Sequence, residues 1–430
     1  MCGAESGISG DGDRWDEFAV RNAYLISISE LDLNQDSDRI SGPDCESFEG
    51  CMAPSTIRIS DQWYGMKATP PQHREQLQSF LDGLDFEWLQ RRATPFVGTN
   101  CELRKDLFDI GREHIVFEIL SPTSAAIVRI RKPTLATSES QNLQSEPTAQ
   151  DMSDEITTLN YVSENTTIPV PRIYDYDTSS DNPLGAPYML MEEMPGHHVH
   201  HLRIPQSQVR TVYAQVSDIV LQLSKLTFPR IGLMSQQECV FEDYHRVDAF
   251  HSPKEFYLAR AQRFYEQQMQ QCDVNWKTLA WLYLEAIPLI CNPRLDNGPF
   301  PLRHPDLNNL NILFDDEFNV VGVIDWTLTQ AVPWQTFVVP PNQFDALCYS
   351  ENRQVYLDVF EEVERLQNPE IPITKLMRDC EIMDLLESYH GWGAFVEWRA
   401  LALACLVFGR EVTWVDVVQK YRASVQNGAI

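Results

Sequence analysis

Two acids and an amide lie close together in one stretch of this chain. Asp306 stands in His304-Pro305-Asp306-Leu307, Asn311 follows five residues later, and Asp325 closes Val323-Ile324-Asp325-Trp326. A carboxylate that can accept or orient a hydroxyl proton, followed by an amide oxygen and a second carboxylate, suits phosphoryl transfer. In that chemistry the protein mainly positions the reactants and a metal neutralises charge. Mg²⁺ is a hard cation that takes oxygen ligands, and Asn311 and Asp325 offer one each. Any single Asp or Asn here could be a turn former. The joint pattern is more specific, because an amide at one buried strand start and an acid at the neighbouring strand end need something to pair with. His304 reads as a brace for the loop, not as a reacting group.

The local sequence explains how these groups could meet. Ile312-Leu313-Phe314 and Val320 to Ile324 are apolar runs separated by the polar turn Asp315-Asp316-Glu317-Phe318-Asn319, which predicts an antiparallel hairpin. Asn311 opens the first strand and Asp325 closes the second, so both belong at the open end. Asp306, in the preceding loop, can reach the same point as a base.

On these residues the chain resembles the aminoglycoside phosphotransferase family, also called the phosphotransferase enzyme family. His304-Pro305-Asp306-Leu307, Asn311-Ile312-Leu313 and Val323-Ile324-Asp325-Trp326 carry the likeness, which covers roughly residues 100 to 415 and is densest over 300–335. Fungal members often have a His-Pro-Asp loop and a Val-Pro-Trp after the Ile-Asp-Trp, as Val332-Pro333-Trp334 stands here. The resemblance implies an α+β, two-lobed protein-kinase-like fold with a β-rich N-lobe and a mainly helical C-lobe. It also implies a kinase that uses ATP and Mg²⁺ on a hydroxyl of a small molecule, with Asp306 as catalytic base and Asn311 and Asp325 as metal ligands. Protein substrates are disfavoured: a tryptophan follows Asp325 where protein kinases carry Phe-Gly, and no Ala-Pro-Glu comes after it.

The nucleotide side is read from alternation. In Ile127-Val128-Arg129-Ile130-Arg131, residues 127, 129 and 131 share one face of a strand. A cation there, paired with an acid on the next helix, is how kinases hold ATP phosphates, and Glu155 is the matching acid. The register of the resembling family's motif points to Arg129, with Arg131 as the alternative. Asp109-Ile110-Gly111-Arg112-Glu113-His114 is the candidate phosphate turn, in which Gly111 alone relieves crowding. Tyr188 to Met191 reads as a strand entering a connector, Glu192 to Gly196. The resemblance puts Met191 and Glu192 beside the nucleotide. The single-glycine turn and the acidic N-terminal stretch also motivate a second reading, a nucleotide-binding pseudokinase acting as a regulatory or interaction module.

His197-His198-Val199-His200-His201 lacks the spacing of a defined tetrahedral metal site, and lining of a ligand pocket is the preferred role. Trp326, Trp334, Asp345, Tyr349, Trp392 and Trp398 are candidates for the substrate side, each more readily explained as core. None identifies the phosphate acceptor.

Organisation and composition set the outer limits. Residues 1–60 read as a flexible acidic extension, 61–195 as the N-lobe with a preceding helix, and 196–430 as the helical C-lobe carrying the catalytic loop. Within these, 73–93 is expected to be one helix, 109–120 and 125–131 β-rich runs joined at Ser121-Pro122-Thr123-Ser124, 134–152 a mobile loop, and 153–165 a helix. At 43% hydrophobic the chain can bury a core. A net charge of −28 argues against nucleic acid or an anionic membrane as partner. Ten cysteines without paired spacing read as reduced thiols. No apolar run is long enough to span a bilayer, and the polar first twenty residues do not form a secretory signal. These features together predict a cytoplasmic protein whose partner is a small molecule. They do not address oligomeric state.

Overall fold

The computed structural model describes residues 60, 63–67, 69–111, 113–133, 149–198, 204–234, 238–240, 246–270, 273–341, 350–367, 369, 371–387 and 397–427. All of them fall in one compact unit, residues 57–387 with 397–430.

Among the described residues a 3-10 turn at Gly65–Lys67 precedes α1 (Pro71–Asp82) and α2 (Phe86–Val97), where the sequence predicts a single helix over 73–93. The break has a local cause. Gly83 turns its N–H back onto Phe80 O at 3.1 Å, and the Asp85 side chain accepts from Trp88 N–H at 2.8 Å, capping a new helix.

Next come β1 (Glu102–Ile110), β2 (His114–Leu120) and β3 (Ala125–Arg131), then α3 (Ala149–Asn165), β4 (Ile173–Asp177) and β5 (Tyr188–Glu192). They form an antiparallel five-stranded sheet in the order β1-β2-β3-β5-β4. The expected turn at Ser121–Ser124 joins β2 to β3. Helix α3 starts four residues before the predicted Ser153, so 149–152 of the predicted loop is helical and the rest of that loop lies outside the described residues. Along β3, Val128 and Ile130 are fully buried under α1 and α2, while Ile127, Arg129 and Arg131 turn to the other face.

From residue 197 onward the described elements are short strands and mostly longer helices. The elements are β6 (His197–His198), α4 (Val209–Leu223), β7 (Thr227–Phe228), β8 (Gly232–Leu233), β9 (Glu238–Val240), β10 (Arg246–Asp248), α5 (Pro253–Met269), α6 (Val274–Ile290), β11 (Phe300–Arg303), β12 (Ile312–Phe314), β13 (Val320–Val323), β14 (Gln330–Ala331), α7 (Trp334–Phe337), α8 (Ser350–Gln367), α9 (Ile373–Asp379), α10 (Glu381–Glu387), α11 (Glu397–Phe408) and α12 (Trp414–Gln426). Two small sheets hold the loops of interest: β7-β11-β14-β8, and β13-β12-β6. The architecture is α+β.

Among the described residues, two of the hydrophobic cores bear on the site. One lies between the five-stranded sheet and α1–α2. The other gathers α4, the small sheets, Trp326, Tyr356 and Phe360, and it also takes Met152, Ile156, Leu159 and Val162 from α3. The helix that carries Glu155 is therefore packed into the helical part of the molecule.

Candidate active site

The predicted hairpin is present. β12 pairs with β13 with Ile312 opposite Val323, and Ile324 N–H donates to Asn311 O at 2.9 Å. Asn311 and Asp325 therefore flank the open end. Asp325 adopts a left-handed backbone, φ 60°, which short polar side chains tolerate better than most, and its carboxylate is 51% exposed.

His304 is the brace the sequence suggests. Its Nδ1 accepts from Asp306 N–H at 3.2 Å and its Nε2 lies 3.0 Å from Ile324 O, so the proton sits on Nε2 and the ring is neutral. Burial, the largest influence, lowers its pKa in keeping with this tautomer. The ring also meets Trp326 edge to face, with centroids 4.8 Å apart. One imidazole thus fixes the Asp306 loop to the strand that ends in Asp325.

Asp306 is held on both oxygens. Asn308 Nδ2 donates to Oδ1 at 2.6 Å and Asn311 Nδ2 to Oδ2 at 3.1 Å. Desolvation by the surrounding walls raises its pKa above the ordinary aspartate value, with the help of the Asp325 charge and against the hydrogen bonds from Asn308 and Asn311. Asn311 Nδ2 also reaches Asp306 O at 2.7 Å, which commits the amide nitrogen and leaves Oδ1 without a hydrogen bond among the described residues. That amide oxygen and the half-exposed Asp325 carboxylate, at adjoining strand ends of the hairpin, are donors of a kind that would fit Mg²⁺. Among the described residues no group of three or more His, Cys, Asp or Glu could hold a metal.

Of the two arginines, Arg129 is the one the structure brings to Glu155. Its Nη1 is 2.5 Å from Glu155 Oε1, and its Nη2 is 4.0 Å from Asp325 Oδ1. Burial works against the charge, but Glu155 and Asp325 outweigh it and hold the guanidinium pKa above the usual arginine value. Two partners were not legible in the sequence. Thr327 Oγ1 donates to Glu155 Oε2 at 3.0 Å, and His114 Nδ1 accepts from Arg129 Nη2 at 3.2 Å. Burial, then the neighbouring cations, pushes the His114 pKa well down and keeps it neutral.

Other predicted residues are placed less simply. Gly111 N–H closes the β1–β2 turn onto His114 O at 2.9 Å, and a Cβ there would meet nothing closer than 3.6 Å. Space alone does not require this glycine, and its N–H is engaged within the turn. Met191 is buried at the end of β5. Glu192 gives its N–H to Arg172 O at 2.8 Å and accepts from Arg172 N–H at 3.2 Å, so its side chain fastens the start of β4. His197 and His198 pair with Phe314 and Leu313 as strand β6, while His200 and His201 lie outside the described residues. Trp326 and Trp334 are core, with indole N–H groups satisfied by Val323 O and Pro299 O, each at 2.9 Å. Asp345, Tyr349 and Trp392 lie outside the described residues, as does the Trp398 side chain.

Residues 107–333, more than half of the chain, match the phosphotransferase enzyme family. The chain belongs to that family. The match spans the turn at Gly111, Arg129, Glu155 and the whole β12–β13 hairpin of this phosphotransferase family member. Among curated proteins it is similar to two subtelomeric hrmA-associated cluster proteins from strains of Aspergillus fumigatus. One is 27% identical over 96 residues, 22% of this chain and 17% of that protein. The other is 29% identical over 80 residues, 18% of this chain and 16% of that protein. The chain thus matches less than a fifth of the length of these relatives. Among solved structures it is similar to a thermostable mutant of the aminoglycoside phosphotransferase APH(4)-Ia in ternary complex with AMP-PNP and hygromycin B. The identity is 15%, the coverage 74% of this chain and 98% of that one, and the TM-score 0.46. It is similar too to the GDP and kanamycin complex of APH(2")-IIia, at 13% identity, with 80% of this chain and 97% of that one covered and a TM-score of 0.46.

Proposed function

We propose that this chain is an ATP- and Mg²⁺-dependent phosphotransferase acting on a hydroxyl of a small molecule. The observation that carries the reading is the convergence of Asp306, the free Oδ1 of Asn311 and the open carboxylate of Asp325, with the Glu155-held Arg129 4.0 Å from Asp325. Asp306 orients the acceptor hydroxyl and takes its proton. Its two amide donors, Asn308 and Asn311, fix the carboxylate in one plane so that the reacting lone pair keeps one direction. Asn311 and Asp325 would hold Mg²⁺, which supplies charge neutralisation at the phosphate oxygens. Arg129 steadies the phosphates that are not transferred, and Glu155 orients it. Met191, Glu192 and the turn at Gly111 border the nucleotide, and the lobes divide near Gly196. The site's place of work is the cytosol, a reading that rests on ten cysteines without paired spacing. A net charge of −28 supports a small-molecule partner over nucleic acid.

The test is a search for the acceptor. A metabolite extract is incubated with the protein, Mg²⁺ and ATP, and mass spectrometry looks for compounds that gain one phosphate. At least one such product is expected with wild type and none with Asp306→Asn. Tight ATP binding with no product from a broad set of hydroxyl compounds would favour the second reading, a nucleotide-binding regulatory module. That reading is supported by the engaged N–H of Gly111.

A further inference from the structure

Helix α3 is gripped at its start from an unexpected place. Strand β10 lies between α4 and α5 in the sequence, far from the five-stranded sheet. Its Arg246 sends Nη2 to Asp151 Oδ1 and Nη1 to Asp154 Oδ2, the latter at 3.3 Å. Asp151, Asp154 and Glu155 fall three and four residues apart and so share one face of the helix. The two aspartates are 4% and 5% exposed and Arg246 is 22% exposed, so this contact is largely removed from water. Buried carboxylates need a cation or hydration. Gln150 Nε2 also donates to Asp154 Oδ1, at 3.1 Å, so without the guanidinium the two acids lose their tie to β10, and the first turn of α3 is free to shift toward water. Glu155, the next residue on that face, then moves with them and away from Arg129.

The far end of the grip is anchored near the catalytic loop. Arg246 sits opposite Val240 in the β9–β10 pair. Two residues beyond β10, Phe250 exchanges two hydrogen bonds with Ile231, at 2.9 and 3.0 Å. Ile231 precedes β8, which joins β14 and then β11, the strand that runs directly into His304. Backbone pairing therefore connects the catalytic loop to the hairpin that holds α3.

We propose that Arg246 is a positioning residue for nucleotide use: from β10 it holds α3 at Asp151 and Asp154, and so keeps Glu155 against Arg129. This rests on the phosphotransferase reading. It adds a determinant outside the set Asp306, Asn311, Asp325 and Arg129, more than ninety residues from Glu155 in sequence.

The test measures ATP–Mg²⁺ affinity by calorimetric titration for wild type, Arg246→Ala, Arg129→Ala and the double variant, with hydrogen exchange followed over residues 149–165. Arg246→Ala should weaken binding about three- to thirtyfold, the range for residues that act on a site through others. In the Arg129→Ala background the same change should cost nothing further, because its effect passes through the Glu155–Arg129 pair. Exchange over α3 should quicken in Arg246→Ala with or without nucleotide. Unchanged affinity in Arg246→Ala, or a loss that adds in full to that of Arg129→Ala, would overturn the positioning role while leaving ATP use by the wild type standing. A wild type that binds no ATP–Mg²⁺ would instead sink the functional reading, and unchanged exchange over α3 would then sink the grip as well. Arg246→Gln, which removes the charge but keeps an amide donor, carries the same comparisons where Arg246→Ala does not fold.

Discussion

Thr327 donates a hydrogen bond to Glu155 across 3.0 Å, so the loop that carries Asp325 and the helix that faces Arg129 meet on one carboxylate. Its oxygens are divided, Oε1 to Arg129 and Oε2 to Thr327. Replacing Thr327 with Val keeps the shape and removes the donor, leaving one oxygen of a buried acid unmatched. Chemical denaturation should show a loss of about 1–3 kcal/mol, largely restored by Thr327→Ser. Equal stability of Thr327→Val and wild type would mean that Glu155 needs only the arginine.

Asp306 should govern the acid side of the rate profile. A base must be ionised to act, and desolvation raises this carboxyl above the ordinary value of about 3.9. Phosphoryl transfer by wild type should therefore rise with pH through a pKa above that value. In Asp306→Asn the rate should fall by about 10²–10⁴ and this limb should vanish.

Stability carries the matching sign. A raised folded-state pKa means that the native protein holds the Asp306 proton at pH values where the unfolded chain has released it. The contribution is fully present below the unfolded pKa and is lost as pH climbs through the raised one. Wild type should lose ground to Asp306→Asn over that interval, as measured by unfolding both proteins at a series of pH values. A flat or opposite trend would show that the carboxyl is not shifted upward.

Asp325→Ala should abolish the Mg²⁺ dependence of ATP binding, since Asn311 Oδ1 alone is a weak ligand for a divalent ion. Titrating ATP with and without Mg²⁺ checks this directly. Retention of the wild-type Mg²⁺ response would remove Asp325 from the metal site.

Gly196→Ala should damage the connector. Its φ is +94°, and a Cβ there would stand 2.5 Å from Val321 Cγ2 and 2.6 Å from Phe314 O. Valine can turn, but the Phe314 carbonyl belongs to the catalytic hairpin and cannot move without it. Overpacking of this kind costs about 1–3 kcal/mol, read as a lower denaturation midpoint. A midpoint equal to wild type would show that the hairpin yields freely.

The catalytic hairpin was readable because its signals are local: two apolar runs, a polar turn, and acids and amides at their ends. Strand β3 was readable for the same reason, since its alternation separates Val128 and Ile130 from Arg129. Strand β1 was hidden because only Leu103 and Phe108 bury fully on it and a bulge falls between them, so Glu102-Leu103-Arg104-Lys105-Asp106 shows no regular period. The polar edge strand β4 escaped notice in the same way. The split between α1 and α2 turned on one capping aspartate inside a pattern that otherwise continues. Thr327, His114 and Arg246 act through contacts 172, 15 and up to 95 residues away along the chain, and no spacing rule connects them.

Helix α3 ties the Arg129 ion pair to the helical half of the molecule. Just beyond the helix, Pro169 O accepts from Val323 N–H on the catalytic hairpin at 2.8 Å, while Arg246 secures its first turn. The helix is tied at both ends and packed along its length against the helical core. Because Arg129 belongs to β3 and Glu155 to α3, any shift of the five-stranded sheet against this helix would have to part their ion pair, which would make that pair a latch on such a shift.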